Sequence, residues 1–560
     1  MNLEEIEKTD IWELYEKCSK FMSRRGIYTD TDVNYRMYNG DQWHGLEVKG
    51  VEKVQYNFIK QVVKQKVSNI TSNLFAVNYS PENIENPEFT ELAQKTCDLL
   101  NKKASKVFDK DFLDKKIKKW VKQAAINDEA VAYVYYGQDD NPVNEVISKN
   151  DVMYGDENEE EIQLQPYILI RQRKSISELQ EHAKDLEIPN EKIKLIVPDN
   201  DTSTIAGDSG KDEVDDKCWV VTKFYRKDGT IHFDRATKYC ELNKDENTQM
   251  SLYPIAHYNW EDQEGNARGI GEVRQLIPNQ IETNKTAMRR ALSVKNTAYP
   301  QKVVNIDSVT NPDAVNKIGS TIKFKSMGGV RASDVFMNTI PAQMSGDSEK
   351  VQTELINYSR DLNNAGDATT GNINPESASG RAILAVQNAQ NQPLSDQVVA
   401  VKVFIEDLAR IWFEMWKVYA TDGLLIEVDE TDPITGQITK TQKTIPQFVL
   451  EELSTSVKVD ITPKGAFDKY AQELSLENMF TTGKITFEEY VESLDSDSVM
   501  PKTKLENILK KRKEAEKQIN TIQQQADLIK MQAQQNQADA LDIQAMANEG
   551  SRMMEEATAM

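Results

Sequence analysis

Residues 278–300 read PNQIETNKTAMRRALSVKNTAYP, and residues 366–380 read GDATTGNINPESASG. The first stretch predicts a helix over Pro278–Asn296, stopped by Pro300, whose ring has no N–H to donate. Nineteen residues at about 1.5 Å each give about 28 Å. This helix is too polar to be buried all round, so it bridges to solvent or packs against other copies of itself. Gln301–Ile340 follows as a strand-rich insert, with strands predicted at Lys302–Ile306, Thr321–Lys325 and Asp334–Asn338 and turns at Asn311-Pro312 and Gly328-Gly329. A second helix is predicted over Ser345–Asn363. The Gly/Asn/Ser loop 366–380 contains no Lys or Arg, and a loop of that length in a compact domain implies a role. Beyond it a helix of about 40 residues runs from Arg381 to Tyr419, with Val398, Val401, Ile405, Leu408, Trp412 and Met415 on one stripe and a kink expected at Pro393. Two helices carrying a small β module at their tips, with a loop where they return, are the parts of a pore subunit.

Working outward, the N-terminal side predicts an amphipathic helix through Ile11, Leu14, Cys18 and Phe21, then a packed turn at Asn39-Gly40-Asp41 between aromatic anchors. Helices are predicted over Asn57–Phe75, Glu88–Phe108 and Phe112–Asn127, the last two alternating lysines with apolar residues. Strands are predicted at 130–136, Ile162–Arg171, Cys218–Arg226 and Ile255–Trp260. On the C-terminal side strands are expected at Leu424–Val428, Ile438–Thr444 and Val457–Thr462, with a hairpin turn near Thr435-Gly436. Glu473–Met500 reads as an acidic helix, and Pro501 opens a last one. In that last helix Ala515, Ile519, Ile522, Ala526, Ile529, Ala533, Asn536, Ala540, Ile543 and Ala547 keep an alternating 4/3 spacing. This is a narrow heptad seam that needs neighbours to be stable. The fold class is therefore α+β, mainly α.

Composition narrows the function. The chain has 560 residues, enough for several domains, and no run of 18 apolar residues, so no membrane-spanning helix is expected. The acidic N-terminus is unlike a secretory leader. Cys18, Cys97, Cys218 and Cys240 are scattered, which predicts no disulfide framework and fits a reducing compartment. Those cysteines and the isolated His44, His182, His232 and His257 predict no metal centre. The acidic run 156–161 lacks the alternate-ligand spacing of a calcium loop. Gly207-Asp208-Ser209-Gly210-Lys211-Asp212 lacks the four-residue spacer of a phosphate loop and has Asp212 where Ser or Thr belongs. Asp128 and Glu129 are adjacent and should point apart, so they make no paired-carboxylate site. No enzymatic constellation and no cofactor is expected. A net charge of −22 argues against a tight nonspecific binder of duplex DNA, and suits a surface along which DNA slides.

Four groups of residues carry a family resemblance. They are Tyr38-Asn39-Gly40-Asp41-Gln42-Trp43; Tyr56-Asn57, opening a helix that leads to Asn78-Tyr79-Ser80-Pro81; Gln280 and Asn284 ahead of a polar helix ending at Pro300; and Gly371-Asn372-Ile373-Asn374-Pro375-Glu376 followed by Ser379-Gly380-Arg381-Ala382. In order and spacing the chain resembles tailed-bacteriophage portal proteins, the head-to-tail connectors, over most of residues 30–420.

The resemblance implies a ring, typically of twelve subunits, at one capsid vertex. Double-stranded DNA would pass through it during packaging and ejection. It implies a wing (1–260, returning over 381–470 with the kinked helix), a first stem helix region (261–297), a β-rich clip (298–342), a second stem helix (343–365), a tunnel loop (366–380) and a helical C-terminal crown (471–560). The tunnel loop would place Asp367, Thr369, Thr370, Asn372, Asn374, Glu376 and Ser377 at the constriction, with the break around Asn388–Leu394 as the alternative. Arg289, Arg290 and Lys295 on the stem would guide phosphate or, the favoured reading, form salt bridges between subunits. Lys302, Asp307, Lys317, Lys323, Lys325 and Arg331 on the clip would meet the large terminase and later the head-completion (adaptor) proteins. Ile519, Ile522, Ile529, Asn536 and Ile543 would form the crown seam. Major capsid and scaffolding proteins are further implied partners. The implied location is the virion, with assembly in the host cytoplasm and no membrane. The competing reading is another oligomeric structural protein with a coiled-coil C-terminal tail.

Overall fold

The computed structural model describes residues 7–47, 52–82, 87–137, 141–199, 216–298, 302–305, 307–315, 317, 320–325, 331–338, 347–362, 392–431, 438–463, 476–494, 504–505, 508–509, 546 and 548–552. Helix and strand are mixed, with helix predominant. The chain divides into two compact units, 1–462 and 463–560. No helix among the described residues is long and apolar enough to cross a membrane.

The first unit opens with α1 (Asp10–Arg24), capped by Thr9, whose hydroxyl accepts the Trp12 amide. Its buried stripe is Ile11, Trp12, Tyr15 and Met22. Gly26, at φ 76°, turns the chain into α2 (Ile27–Asn39). The Asn39-Gly40 signal is thus the stop of a helix: Gly40 adopts φ 98° and its amide closes on the Arg36 carbonyl. α3 (Phe58–Thr71) starts at its cap Asn57 and buries Ile59, Val63, Val67 and Ile70 along one face. It feeds β1 (Asn73–Pro81), then α4 (Pro87–Lys110), a tight turn at Phe112, and α5 (Leu113–Asn127).

The strands β2 (Glu129–Tyr136), β3 (Pro142–Ile147), β4 (Val152–Tyr154) and β5 (Tyr167–Ser175) follow. The helices α6 (Ile176–Asp185) and α7 (Asn190–Ile193) precede β6 (Lys217–Lys227), β7 (Thr230–Ala236), β8 (Glu241–Asn247) and β9 (Ile255–Asn259). β3-β2-β9 form one sheet and β4-β5-β6-β7-β8 another, with antiparallel pairings. Period-2 alternation sorts β6 between two layers. Trp219 and Val221 pack with α1, while Cys218 and Val220 pack with Leu179 and Ala183 of α6.

α8 (Glu272–Ala298) is longer than predicted and runs through Pro278. Both Pro278 and Arg274, whose carbonyl loses its helical donor, are exposed, so water can take that bond. In the insert β10 (Lys302–Val304), α9 (Ala332–Val335) and β11 (Phe336–Asn338) are formed. The strand predicted at Thr321–Lys325 is only a single bridge, Val309 to Phe324. Asp334 is helical rather than extended. α10 (Asp347–Leu362) is the second predicted helix.

α11 (Ser395–Tyr419) carries the main core stripe, including Val401, Ile405, Leu408, Trp412 and Met415. Pro393 sits in a 3-10 turn, Gln392–Leu394, that leads into α11. The arm predicted over 381–391 lies outside the described residues. The unit closes with β12 (Leu424–Thr431), β13 (Ile438–Ile445), α12 (Gln447–Glu452) and β14 (Thr455–Pro463), which pairs with β1. β12 and β13 form the expected hairpin ladder, Thr431 opposite Ile438.

The largest core gathers α3, α4, α5, β1, β2, α11 and β12–β14. At its centre Trp120 meets the Phe404 ring edge-on at 5.2 Å and Trp412 meets Phe108 at 5.9 Å. Both of these buried indoles find an acceptor: Trp120 donates to the Val131 carbonyl and Trp412 to Asn144 Oδ1. All four cysteines are unpaired.

In the second unit the helix predicted over Glu473–Met500 is interrupted after Thr481. Gly483 takes φ 69°, and Thr486 with Glu489 forms a reciprocal capping box that starts α13 (Phe487–Glu492) afresh. Tyr490, Val491 and Leu494 form its buried cluster.

Candidate functional site

α8 and α10 run antiparallel. Asn279 donates to Ser359 Oγ at 3.0 Å, and further out Arg290 donates to Gln352 Oε1 at 3.0 Å and lies 3.5 Å from Glu349. Beyond them β10 and β11 close the insert, with Lys302 opposite Asn338 and Val304 opposite Phe336. Inside the insert Thr310 N–H donates to the Lys323 carbonyl and Lys325 N–H to the Ser308 carbonyl. The result is a helical hairpin tied at its far end by a short ladder. α8 changes character along its length: Val273, Leu276, Gln280, Thr283, Asn284 and Ala287 are buried, whereas Val294 is 68% exposed. The hairpin therefore has a buried root and an open outer half.

The root is held by neutral amides. Residues 280, 283, 284 and 287 share one helix face by their i, i+3, i+4, i+7 spacing, and here that face meets the start of α3. The first amides of α3 have no helical partner and must be satisfied from outside. Gln280 Oε1 accepts from Phe58 N at 3.1 Å and Ile59 N at 3.4 Å, and its Nε2 donates to the Tyr56 carbonyl at 2.6 Å. Asn284 Oδ1 accepts from Tyr56 N at 3.2 Å, and its Nδ2 donates to Gln42 Oε1 at 2.6 Å. Gln42 in turn donates to the Met37 carbonyl, and Asn57 to the Tyr38 carbonyl. Gln280 is fully buried and Asn284 nearly so. Three of the sequence groups singled out above, around Gln42, Tyr56-Asn57 and Gln280/Asn284, thus meet in one hydrogen-bonded junction.

Immediately before α8 lies a buried ionic cluster. Glu129 pairs with Arg268 and stands 3.0 Å from His257 Nε2. Arg268 also reaches Glu157 at 2.9 Å and the Val152 carbonyl at 3.1 Å. Asp128 pairs with Lys149 at 2.5 Å and accepts the Gly271 amide at 2.7 Å. Glu272 takes Lys66 at 2.7 Å and the Trp260 indole at 3.2 Å. Burial alone would raise the Glu129 carboxyl, but the Arg268 guanidinium and His257 outweigh it and hold it down to about 2. Burial likewise opposes the charge on Arg268, and the carboxylates of Glu129 and Glu157 raise it instead. Asp128 and Glu129 point to separate partners, as their adjacency requires.

The Arg268-Gly269-Ile270-Gly271 run has a steric reason. A Cβ on Gly271 would lie 2.8 Å from the Asp128 amide, and one on Gly269 would lie 2.5 Å from the Glu261 carbonyl. Lacking side chains, the backbone can come close enough for Gly271 N–H to reach the Asp128 carboxylate and Gly269 N–H the Asn259 side-chain carbonyl. In the sequence the Arg268-Gly269-Ile270-Gly271-Glu272 run stands far from its partners at 66, 129 and 149, and nothing joins it to them or to His257.

The predicted site residues fall into three sets. On the hairpin, Arg289 bonds Glu282 of its own helix at 3.2 Å, Arg290 is used against α10, and Lys295 is exposed near the end of α8. Within one copy, then, the two arginines already have partners on their own chain. On the insert, Asp307, Lys317, Lys323, Lys325 and Arg331 are exposed, and Lys302 lies in β10. The loop residues Asp367, Thr369, Thr370, Asn372, Asn374, Glu376 and Ser377, and the seam residues Ile519, Ile522, Ile529, Asn536 and Ile543, lie outside the described residues. Among the described residues no three His, Cys, Asp or Glu side chains converge to hold a metal ion. Compared with known proteins, the chain matches no family profile and no curated sequence.

Proposed function

We propose that the chain is one subunit of a ring of the tailed-bacteriophage portal kind, set at one capsid vertex, through which double-stranded DNA is packaged and ejected. The observation that carries this reading is the junction at the root of the hairpin. Residues that make the chain resemble portal proteins, scattered over 242 positions between Gln42 and Asn284, share one hydrogen-bond network. That network fixes a two-helix lever on a large folded body. A channel built from such levers needs each one held at a set angle. Neutral, buried amides hold it without dependence on pH or salt.

The outer half of the hairpin supports assembly with further copies. Val294 (68% exposed), Val351 (47%), Val303 (55%) and Met337 (58%) stand open on α8, α10 and the β10–β11 ladder. A ring of copies covers such surface. Twelve is the number the resemblance implies, and 12 × 63.7 kDa gives about 760 kDa. The exposed charges of the insert suit docking of the large terminase and, later, of head-completion proteins. Capsid and scaffolding proteins surround the ring in the same reading. The conduit is passive: the chain hydrolyses nothing, and a separate motor supplies the work.

Electron microscopy of the purified full chain, viewed down its symmetry axis, tests this. The expected image is a closed ring with an open centre. A compact monomer or dimer without a hole, at every salt concentration tried, overturns the reading.

A further inference from the structure

We propose that the outward face of α4 and α5 is a lysine platform for the phosphate backbone of duplex nucleic acid. A single copy carries the site whether or not the chain forms a ring. Between Lys95 and Lys122 the sequence holds ten lysines and four aspartates, with no arginine or glutamate. This is a surplus of six positive charges in a chain whose total is −22.

Folding sorts these lysines. Ala93, Cys97, Leu100, Ala104 and Val107 of α4, and Leu113, Ile117, Trp120 and Val121 of α5, enter the main core. Lys103 turns inward to the Leu425 carbonyl, and Lys116 binds Asp111 and the Asn144 carbonyl. Lys102, Lys110, Lys115, Lys118 and Lys119 remain exposed. None of these five has an ion-pair or hydrogen-bond partner among the described residues. Lys106 makes only an open pair with Glu427 at 3.3 Å, and Lys122 stands over the Tyr38 ring at 5.1 Å. Asp98, Asp109 and Asp114 are the acids on the same exposed side.

The geometry suits a linear polyanion. Lys102, Lys106 and Lys110 form an i, i+4, i+8 ridge about 12 Å long, and Lys115, Lys118 and Lys122 one of about 10 Å. A duplex presents about one charge per 1.7 Å of axis, so the ridges meet several phosphates at once.

The side-chain chemistry favours phosphate over an acidic protein. Carboxylates are recognised best by the planar fork of arginine, and this face has none. Protein interfaces are depleted of lysine and built around apolar anchors, whereas nucleic-acid interfaces are strongly positive. The large exposed apolar residues of α4 and its turn, Leu92 and Phe112, are separated by most of the helix. Lysine point charges without base-reading groups predict binding that ignores sequence and depends steeply on salt.

The test is fluorescence anisotropy of the full-length chain with a labelled duplex of arbitrary sequence. With about four phosphates neutralised, affinity should fall on the order of 100-fold between about 50 and 200 mM salt. Changing Lys102, Lys110, Lys115, Lys118 and Lys119 together to Gln should weaken binding at least about tenfold and flatten the salt slope, with thermal unfolding unchanged. A charge-matched control, Lys17, Lys20, Lys174, Lys192 and Lys194 to Gln, should bind like the parent. The proposal falls if the parent does not bind duplex at about 50 mM salt. It also falls if the platform variant binds with the same affinity and slope, or if the control loses as much. Tighter capture of polyglutamate than of duplex through the same lysines would assign the face to an acidic protein and overturn it as well.

Discussion

The side-chain amides of Gln42 and Asn284 are joined at 2.6 Å, across 242 residues of sequence and with Asn284 buried. Beside them Gln280 accepts the amides of Phe58 and Ile59, which the first turn of α3 cannot pair for itself, and Asn284 accepts that of Tyr56 just ahead of it. The consequence is testable without reference to function. Gln280→Ala takes this partner from the amides of the buried Phe58 and Ile59, at about 1–3 kcal/mol for each amide left unsatisfied. Hydrogen exchange should accelerate at Tyr56, Phe58 and Ile59 while the centre of α11 stays protected. Unchanged exchange at those amides would show that the junction is not what holds α3 to α8.

Acid should attack the neighbouring ionic cluster. The Glu129 carboxyl is held at about 2 in the folded chain against an ordinary 4.5. A depressed carboxyl contributes stability that is complete above its unfolded value and lost as pH falls through its folded value. Stability should therefore be level above about pH 5 and decline between about 4.5 and 2, and that dependence should be reduced in Glu129→Gln. Arg268→Met strands Glu129 and Glu157 in a buried setting and should cost about 3–5 kcal/mol at neutral pH. Chemical denaturation over a pH series measures both.

Gly269→Ala should destabilise by about 1–3 kcal/mol through overpacking. Its new Cβ would sit 2.5 Å from the Glu261 carbonyl and 2.8 Å from Asn259 Cβ. Thermal unfolding reads this directly, and a neutral result would mean that the turn ahead of α8 has room the structure does not show.

The two hairpin arginines should matter little to assembly. Arg289 is an open pair with Glu282, and Arg290 a half-open one with Gln352 and Glu349. Exposed pairs of this kind are worth about 0–1 kcal/mol. Arg289→Ala with Arg290→Ala should leave the oligomer mass unchanged in mass photometry. Loss of the oligomer would favour the reading in which these side chains bridge subunits.

The helix periodicities were legible because α3, α5 and α11 each bury one continuous apolar stripe. The hairpin was legible because Pro300 and the insert's turn residues punctuate it. Its start was misread: Pro278 breaks a helix by rule, yet on an exposed face it is tolerated. The Asn39-Gly40 stop hid a whole helix, α2, whose polar sequence gives a weak stripe. The ionic cluster was illegible because its members come from five distant stretches. The lysine face was masked by averaging, since a total of −22 conceals a local excess of six positive charges.

The central claim is that copies of this chain close into a ring around an open axis. Axial electron microscopy of the purified chain, with mass photometry on the same sample, tests it most directly. The account predicts ring-shaped particles with a central hole, and a mass near 12 × 63.7 kDa, about 760 kDa, where twelve copies close the ring. Particles of one or two chains with no axial opening, at every salt concentration tried, would contradict it.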